Sequence, residues 1–295
     1  MSNFPNLFPR AQLKAQAKQI MQPNWGTALL ITLIYGLCVM ISSSAVAMLG
    51  GDAPIDYAAD YSTSAGTMYY ATNMNFDGIG LGSMLLAFFA SILVEGILRY
   101  CYDAWFLRTI QAPGQKMPFA TFIEGFNDAI RAALAFIWQN IWIGIWGLAA
   151  LPGVLVMGLG VVSFNGSAIL GALGILLMLC GAALSVIAAL RYVFMYQVIA
   201  DSRGKVGARQ AMRYSIAIVG NHVADVFVLF LSFIPWYIMG VLTFGLGFLY
   251  VLPYMSSTYA ASYQWLRDEA FREGRLDPAV LGYARKSEAA AAGNM

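Results

Sequence analysis

Apolar residues in this chain come in long blocks rather than at the alternating spacing of a soluble strand or the one-sided spacing of a soluble helix. The blocks cover about 26–49, 79–106, 134–162, 167–199, 223–242 and 246–266. A bilayer core about 30 Å thick takes roughly 20 apolar helical residues to cross. Each block meets that length, so the pattern predicts an all-α, polytopic membrane protein with six transmembrane helices. Pro152-Gly153, Pro235-Trp236 and Pro253-Tyr254 fall inside blocks and are expected to kink them, because proline removes a backbone donor.

The segments between the blocks differ in character. Residues 51–77 are rich in Gly, Ser and Tyr and carry Asp52, Asp56, Asp60 and Asp77 with no base. Residues 108–133 contain Pro113-Gly114, Pro118 and an amphipathic run of Phe119, Phe122, Ile123, Phe126 and Ile130. Asn165-Gly166 signals a turn, and Thr243–Gly247 is short enough only for a hairpin loop. Before the first block, Arg10, Lys14 and Lys18 share one helical face, opposite Leu13, Ala17, Ile20 and Met21. That is the pattern of a basic amphipathic helix at a membrane surface, with Trp25 as an interface anchor. The expected organisation is therefore an N-terminal amphipathic helix over 1–24, a six-helix membrane domain over 25–266, and a tail over 267–295 that is partly disordered.

Charge then orients the chain. Of its 295 residues 60% are hydrophobic and 11% charged, where a soluble domain carries about a quarter charged. Lys and Arg favour cytoplasmic loops. The N-terminal segment holds three, 108–133 three, 201–221 four and 267–295 five, while the other three connections have none. Arg99 and Arg191 make up the seventeen. The expected topology is N-in and C-in, with amphipathic helices at the inner surface of a cell membrane. A cleaved leader is disfavoured: although Ala45-Val46-Ala47 resembles a cleavage site, the polar region before the first block is too long and the block exceeds a leader's apolar region.

Two stretches resemble a known family. Arg10-Ala-Gln-Leu-Lys14-Ala-Gln-Ala-Lys18 followed by Asn24-Trp25 is similar to the opening of the bacterial membrane family known as domain of unknown function 975. A longer stretch is more specific. It runs from Ile199-Ala200-Asp201 through Ala211-Met212-Arg213-Tyr214-Ser215, Gly220-Asn221, Leu231-Ser232-Phe233-Ile234-Pro235-Trp236 and Leu242-Thr243-Phe244-Gly245-Leu246-Gly247 to Leu252-Pro253-Tyr254, Thr258, Ala260 and Tyr263. Trp146 and Pro152-Gly153 resemble its middle more weakly, and the 51–77 loop and the chain after 270 do not match. The resemblance implies a multi-pass protein of a mostly Gram-positive family. It carries no assigned activity.

Ionisable residues within membrane segments are costly and mark functional sites by default. Glu95, Arg99 and Asp103, spaced by four, share one face of the second block, and Arg99 is expected to pair with one of the two acids. Arg191, Asp201, His222 and Asp225 fall at similar depth on other segments. These seven residues are the candidate polar cluster, read either as a cytoplasm-facing vestibule for an ion or anionic headgroup, or as snorkelling side chains in local salt bridges. His222 is the one histidine; with Asp225 it forms either a proton-handling pair or a cap on the fifth block. A metal site wants three or four good ligands, and none is assembled here. Asp52, Asp56 and Asp60 lack the spacing and glycine of a calcium loop. Cys38, Cys101 and Cys180 have neither ligand nor disulfide spacing and read as packing residues. Gly78 and Gly82 permit close helix packing, and Asn165-Gly166-Ser167 is a glycosylation sequon only in a secretory pathway that glycosylates.

No phosphate-binding loop, zinc-protease motif or nucleophile elbow is present, so no catalytic residue, cofactor or metal is assigned and enzyme activity is not expected. A net charge of +2 gives no broad field for nucleic acid. The expected partners are membrane lipids and either a membrane-protein partner or further copies of the chain. The leading expectation is a non-enzymatic accessory, scaffold or immunity-like factor. The alternative is a small transporter or channel using the proline-broken helices and the polar vestibule.

Overall fold

The computed structural model describes residues 8–50, 78–163, 168–203 and 205–283. The 51–77 loop, the Asn165-Gly166-Ser167 sequon and the end of the tail lie outside the described residues. Every regular element among the described residues is helical. They are α1 (Arg10–Met21), α2 (Trp25–Gly50), α3 (Gly78–Gln111), α4 (Ala120–Glu124), α5 (Ala129–Gly147), α6 (Leu151–Ser163), α7 (Ala168–Tyr192), α8 (Met195–Asp201), α9 (Ala208–Val219), α10 (Val223–Leu231), α11 (Ile234–Leu242) and α12 (Phe248–Arg272).

Among the described residues, five helical stretches are long and apolar enough to cross a membrane: Arg10–Ser44, Leu85–Gln111, Ala120–Gly160, Ala168–Asp201 and Val223–Leu242. Their outer faces carry large apolar side chains in the open, among them Ile41, Leu86, Ile169 and Leu179. A surface of that kind is unstable in water and is normal against hydrocarbon. These stretches correspond to the first five expected blocks. The sixth forms α12, which is not one of the five. Its serines and threonines are buried: Ser257 and Thr258 donate to the carbonyl of Tyr254, and Ser262 to that of Thr258. Returning hydroxyls to the helix's own carbonyls lets a polar helix sit inside the molecule without stranded donors.

Prolines place the breaks in two other blocks. Pro152 sits in the first turn of α6, after a 3-10 turn that separates it from α5. Pro235 sits in the first turn of α11, just after Ser232 and Phe233 interrupt the 223–242 block. The first turn of a helix is where a missing N–H costs nothing.

The tightest packing is between α6 and α7, and glycines make it. A Cβ on Gly153 would come within 2.6 Å of the Gly174 carbonyl, and one on Gly174 within 2.8 Å of the Gly153 carbonyl. Gly181 lies equally close to the Ala150 backbone. Small residues let helix backbones approach to dispersion contact. At Gly82, by contrast, a Cβ would meet nothing within 4 Å.

The N-terminal helix departs from the surface-lying picture. Leu13, Ala17 and Met21, its apolar face, are buried against protein, chiefly α12. The two helices run antiparallel: Phe8 packs edge-on against Trp265 at 5.2 Å, and Trp25 stacks on Tyr250 at 4.8 Å. Lys14 Nζ donates to Ser232 Oγ at 2.7 Å and lies 4.4 Å from the Phe233 ring centroid. The face expected to meet lipid is thus taken by α12, and two of the three basic residues have protein partners.

The tail likewise begins later than expected. α12 continues through Arg267 to Arg272, and Leu276 and Leu281 beyond it are buried in the core.

Candidate functional site

Asp201, the last residue of α8, has a side chain only 2% exposed. Its Oδ1 accepts from Gln111 Nε2 and from the Tyr283 hydroxyl, each at 2.7 Å. Its Oδ2 accepts from the Tyr263 hydroxyl at 2.9 Å and Arg267 Nη1 at 3.0 Å. A carboxylate has about four acceptor positions, and all are used. Arg267 also donates to the Tyr283 oxygen at 2.8 Å and to Asp268. The node therefore ties together the ends of α3, α8 and α12 and the chain beyond.

Burial sets the electrostatics here. Burial pushes the Tyr283 phenol above its ordinary range, and the adjacent Asp201 pushes it further. For Arg267, burial disfavours the charge, but Asp201 and Asp268 outweigh it and hold the guanidinium protonated. A buried carboxylate whose charge is matched and whose lone pairs are filled acts as a clasp between the elements that supply its donors.

Beside this clasp is a cavity of ≈ 700 Å³ lined by polar side chains, including Arg108, Glu124, Asp128, Arg203 and Lys205. Arg108 pairs with Glu124 at 2.9 Å, and Asp128 accepts from Arg131 at 2.6 Å and from Tyr100 at 3.1 Å. Among the described residues Arg203 and Lys205 have no ion-pair partner. Both are exposed, and Arg203 has a positive φ of 50°, a conformation unusual outside glycine. The 108–133 loop that forms one wall is fixed from below by buried Asn24. Its Nδ2 donates to the Gln115 carbonyl at 3.0 Å, and its Oδ1 accepts from the Met117 N–H at 2.7 Å.

A second polar group lies on α3. Arg99 Nε donates to Asp103 Oδ2 at 3.2 Å, so the expected pairing is with Asp103. Glu95 is exposed and makes no ion pair among the described residues. Tyr35, Tyr196, Tyr237 and Tyr259 are electrostatic neighbours of Arg99. The hydroxyls of Tyr196 and Tyr259 are buried with no hydrogen-bond partner among the described residues.

The seven candidate residues thus fall into four separate networks, rather than one vestibule. Arg99 and Asp103 form one, with Glu95 a turn away. Asp201 forms the clasp. His222 Nδ1 and Asp225 Oδ2 are 3.0 Å apart, with Arg10 3.6 Å from Asp225. Arg191 stands exposed by itself at the end of α7. The seven do not form one vestibule because α3 and α10 carry their polar residues to local counter-charges of their own, while Arg191 on α7 meets no acid among the described residues. Sequence reasoning missed Gln111, Tyr263, Arg267 and Tyr283 around Asp201. One signal was available: Tyr263 and Arg267 are four apart and share a helix face. Tyr196 and Tyr259 were hidden because an aromatic residue in an apolar run reads as packing.

A family model described as a protein of unknown function (DUF975) matches residues 7–270. The chain belongs to that family. The match takes in α1 to α11 and α12 as far as residue 270, including Asp201, Tyr263 and Arg267 of the clasp and both open cations of the cavity, and it stops before Tyr283. No curated protein and no solved structure matches the chain.

Proposed function

We propose that this DUF975 member is an integral membrane protein of a bacterial cell membrane with six spans and both termini inside. In this reading it is a non-enzymatic accessory or scaffold protein that holds an acidic element of a partner at its inner face. The observation that carries it is the ≈ 700 Å³ cavity in which Glu124, Asp128 and Asp201 are already matched while Arg203 and Lys205 are not. Two unmatched cations lining a recess favour an anionic guest. The topology draws support from the clasp. Gln111, Asp201, Arg267 and Tyr283 meet at one end of the bundle, and these belong to segments rich in Lys and Arg.

The test is affinity purification of the full chain in mild detergent, comparing wild type with the double variant Arg203→Glu, Lys205→Glu. A partner retained by wild type and lost by the variant supports the reading. An identical set of retained proteins in both overturns it.

A second reading, a small transporter, is favoured by one observation. The buried, unpartnered hydroxyls of Tyr196 and Tyr259 beside the Arg99–Asp103 pair are a costly arrangement that a polar solute would relieve. Reconstitution into liposomes tests it. Solute flux abolished by Tyr196→Phe supports transport, and wild-type liposomes no leakier than empty ones rule it out.

A further inference from the structure

Away from the clasp and from Arg99, a groove of ≈ 710 Å³ runs along the junction of α7 and α10. Val186, Ile187 and Leu190 on α7 and Val223 and Phe227 on α10 form its walls. From Ala183 to Arg191 it runs eight residues along α7, about 12 Å at 1.5 Å per residue. Apolar walls of that length, between α7 and the first half of the 223–242 stretch, match part of an acyl chain.

The end of the groove has a different chemistry. Arg191, on its rim, is exposed and has no acidic partner among the described residues. Asn221 adds an exposed amide beside it. Underneath lies a second guanidinium. Gly220, which lines the groove with φ +48°, sits so close to Arg275 that a Cβ there would collide with Nη1. Arg275 donates to the carbonyls of Ala217 and Ile218, its Nε pairs with Glu273, and its Nη2 is buried without a partner. The nearest acid on α10, Asp225, is engaged by His222 and Arg10. The groove end therefore carries net positive charge at the place where a lipid's phosphate would follow its chain.

We infer that the α7–α10 groove binds an anionic phospholipid, with one acyl chain between Ile187 and Phe227 and the phosphate on Arg191. Basic pockets between transmembrane helices recognise acidic headgroups in this way. A zwitterionic lipid fills the same groove, but its ammonium meets the positive end, so the site discriminates by headgroup. The inference does not depend on what the cavity beside Asp201 holds.

The experiment is native mass spectrometry of the full chain in mild detergent, titrated separately with phosphatidylglycerol and phosphatidylcholine. Wild type is expected to retain phosphatidylglycerol in preference. Arg191→Gln should lower that retention about fivefold, equivalent to the roughly 1 kcal/mol contributed by one basic group near the surface, and leave phosphatidylcholine unchanged. Ala224→Trp, which fills the groove, should lower both. Arg191 makes no side-chain hydrogen bond or ion pair among the described residues, so its replacement should keep the helical circular dichroism of wild type. Equal retention of the two lipids by wild type overturns the inference even if a variant fails to fold. Unchanged phosphatidylglycerol retention by a folded Arg191→Gln variant also overturns it.

Discussion

Tyr283 donates its phenolic hydrogen to Asp201 at 2.7 Å, joining the chain beyond the last long helix to the end of α8. The same oxygen accepts from Arg267 at 2.8 Å, so one hydroxyl serves both halves of a buried ion pair. Tyr283→Phe removes both bonds and should cost about 1–3 kcal/mol. Unfolding in detergent would measure that loss, and faster proteolysis of the chain after Arg272 would locate it.

The same residue gives a pH dependence. Burial raises the folded-state value of the Tyr283 phenol, so its contribution is fully present below the ordinary tyrosine value of about 10 and falls as pH rises through and beyond it. The stability gap between wild type and Tyr283→Phe should be constant from pH 7 to 9 and narrow above pH 10. A gap that widens in alkali would contradict the assignment.

Asp103, rather than Glu95, is the partner of Arg99. Arg99→Leu leaves a side chain only 7% exposed with an unmatched carboxylate, and should cost about 3–5 kcal/mol. Adding Asp103→Asn should recover most of it, whereas adding Glu95→Gln should not. A double-mutant cycle measures the two couplings separately.

Gly174 and Gly171 lie three residues apart on α7 and predict opposite outcomes. An alanine at Gly174 meets the α6 backbone, while one at Gly171 meets nothing within 4 Å. Gly174→Ala should destabilise by about 1–3 kcal/mol, and Gly171→Ala, in open space within a helix, should stabilise by up to about 1 kcal/mol.

The helix blocks were legible because an apolar run of bilayer length must satisfy its backbone internally, and a helix does so within one segment. The proline breaks were legible too, since Pro235 can begin α11 but cannot continue α10. The role of α1 was not. A face of Leu13, Ala17 and Met21 fits lipid or another helix equally well, and only the position of α12 decides between them. The spacing of four gave Arg99 a partner in either Glu95 or Asp103, and the structure pairs it with Asp103. The Asp201 clasp did not, because its donors come from Gln111, Tyr263, Arg267 and Tyr283, brought together by the crossing of α3, α8 and α12. Local periodicity carries no record of that crossing.

Everything proposed for the inner face rests on which side of the membrane the cavity opens. Single cysteines at Thr63 and Gln115, in a background lacking Cys38, Cys101 and Cys180, decide this with an impermeant maleimide on intact cells. Gln115 is exposed, on the loop that walls the cavity. An inward-opening cavity predicts labelling of Thr63→Cys in intact cells and of Gln115→Cys only after permeabilisation. Labelling of Gln115→Cys from outside would contradict it.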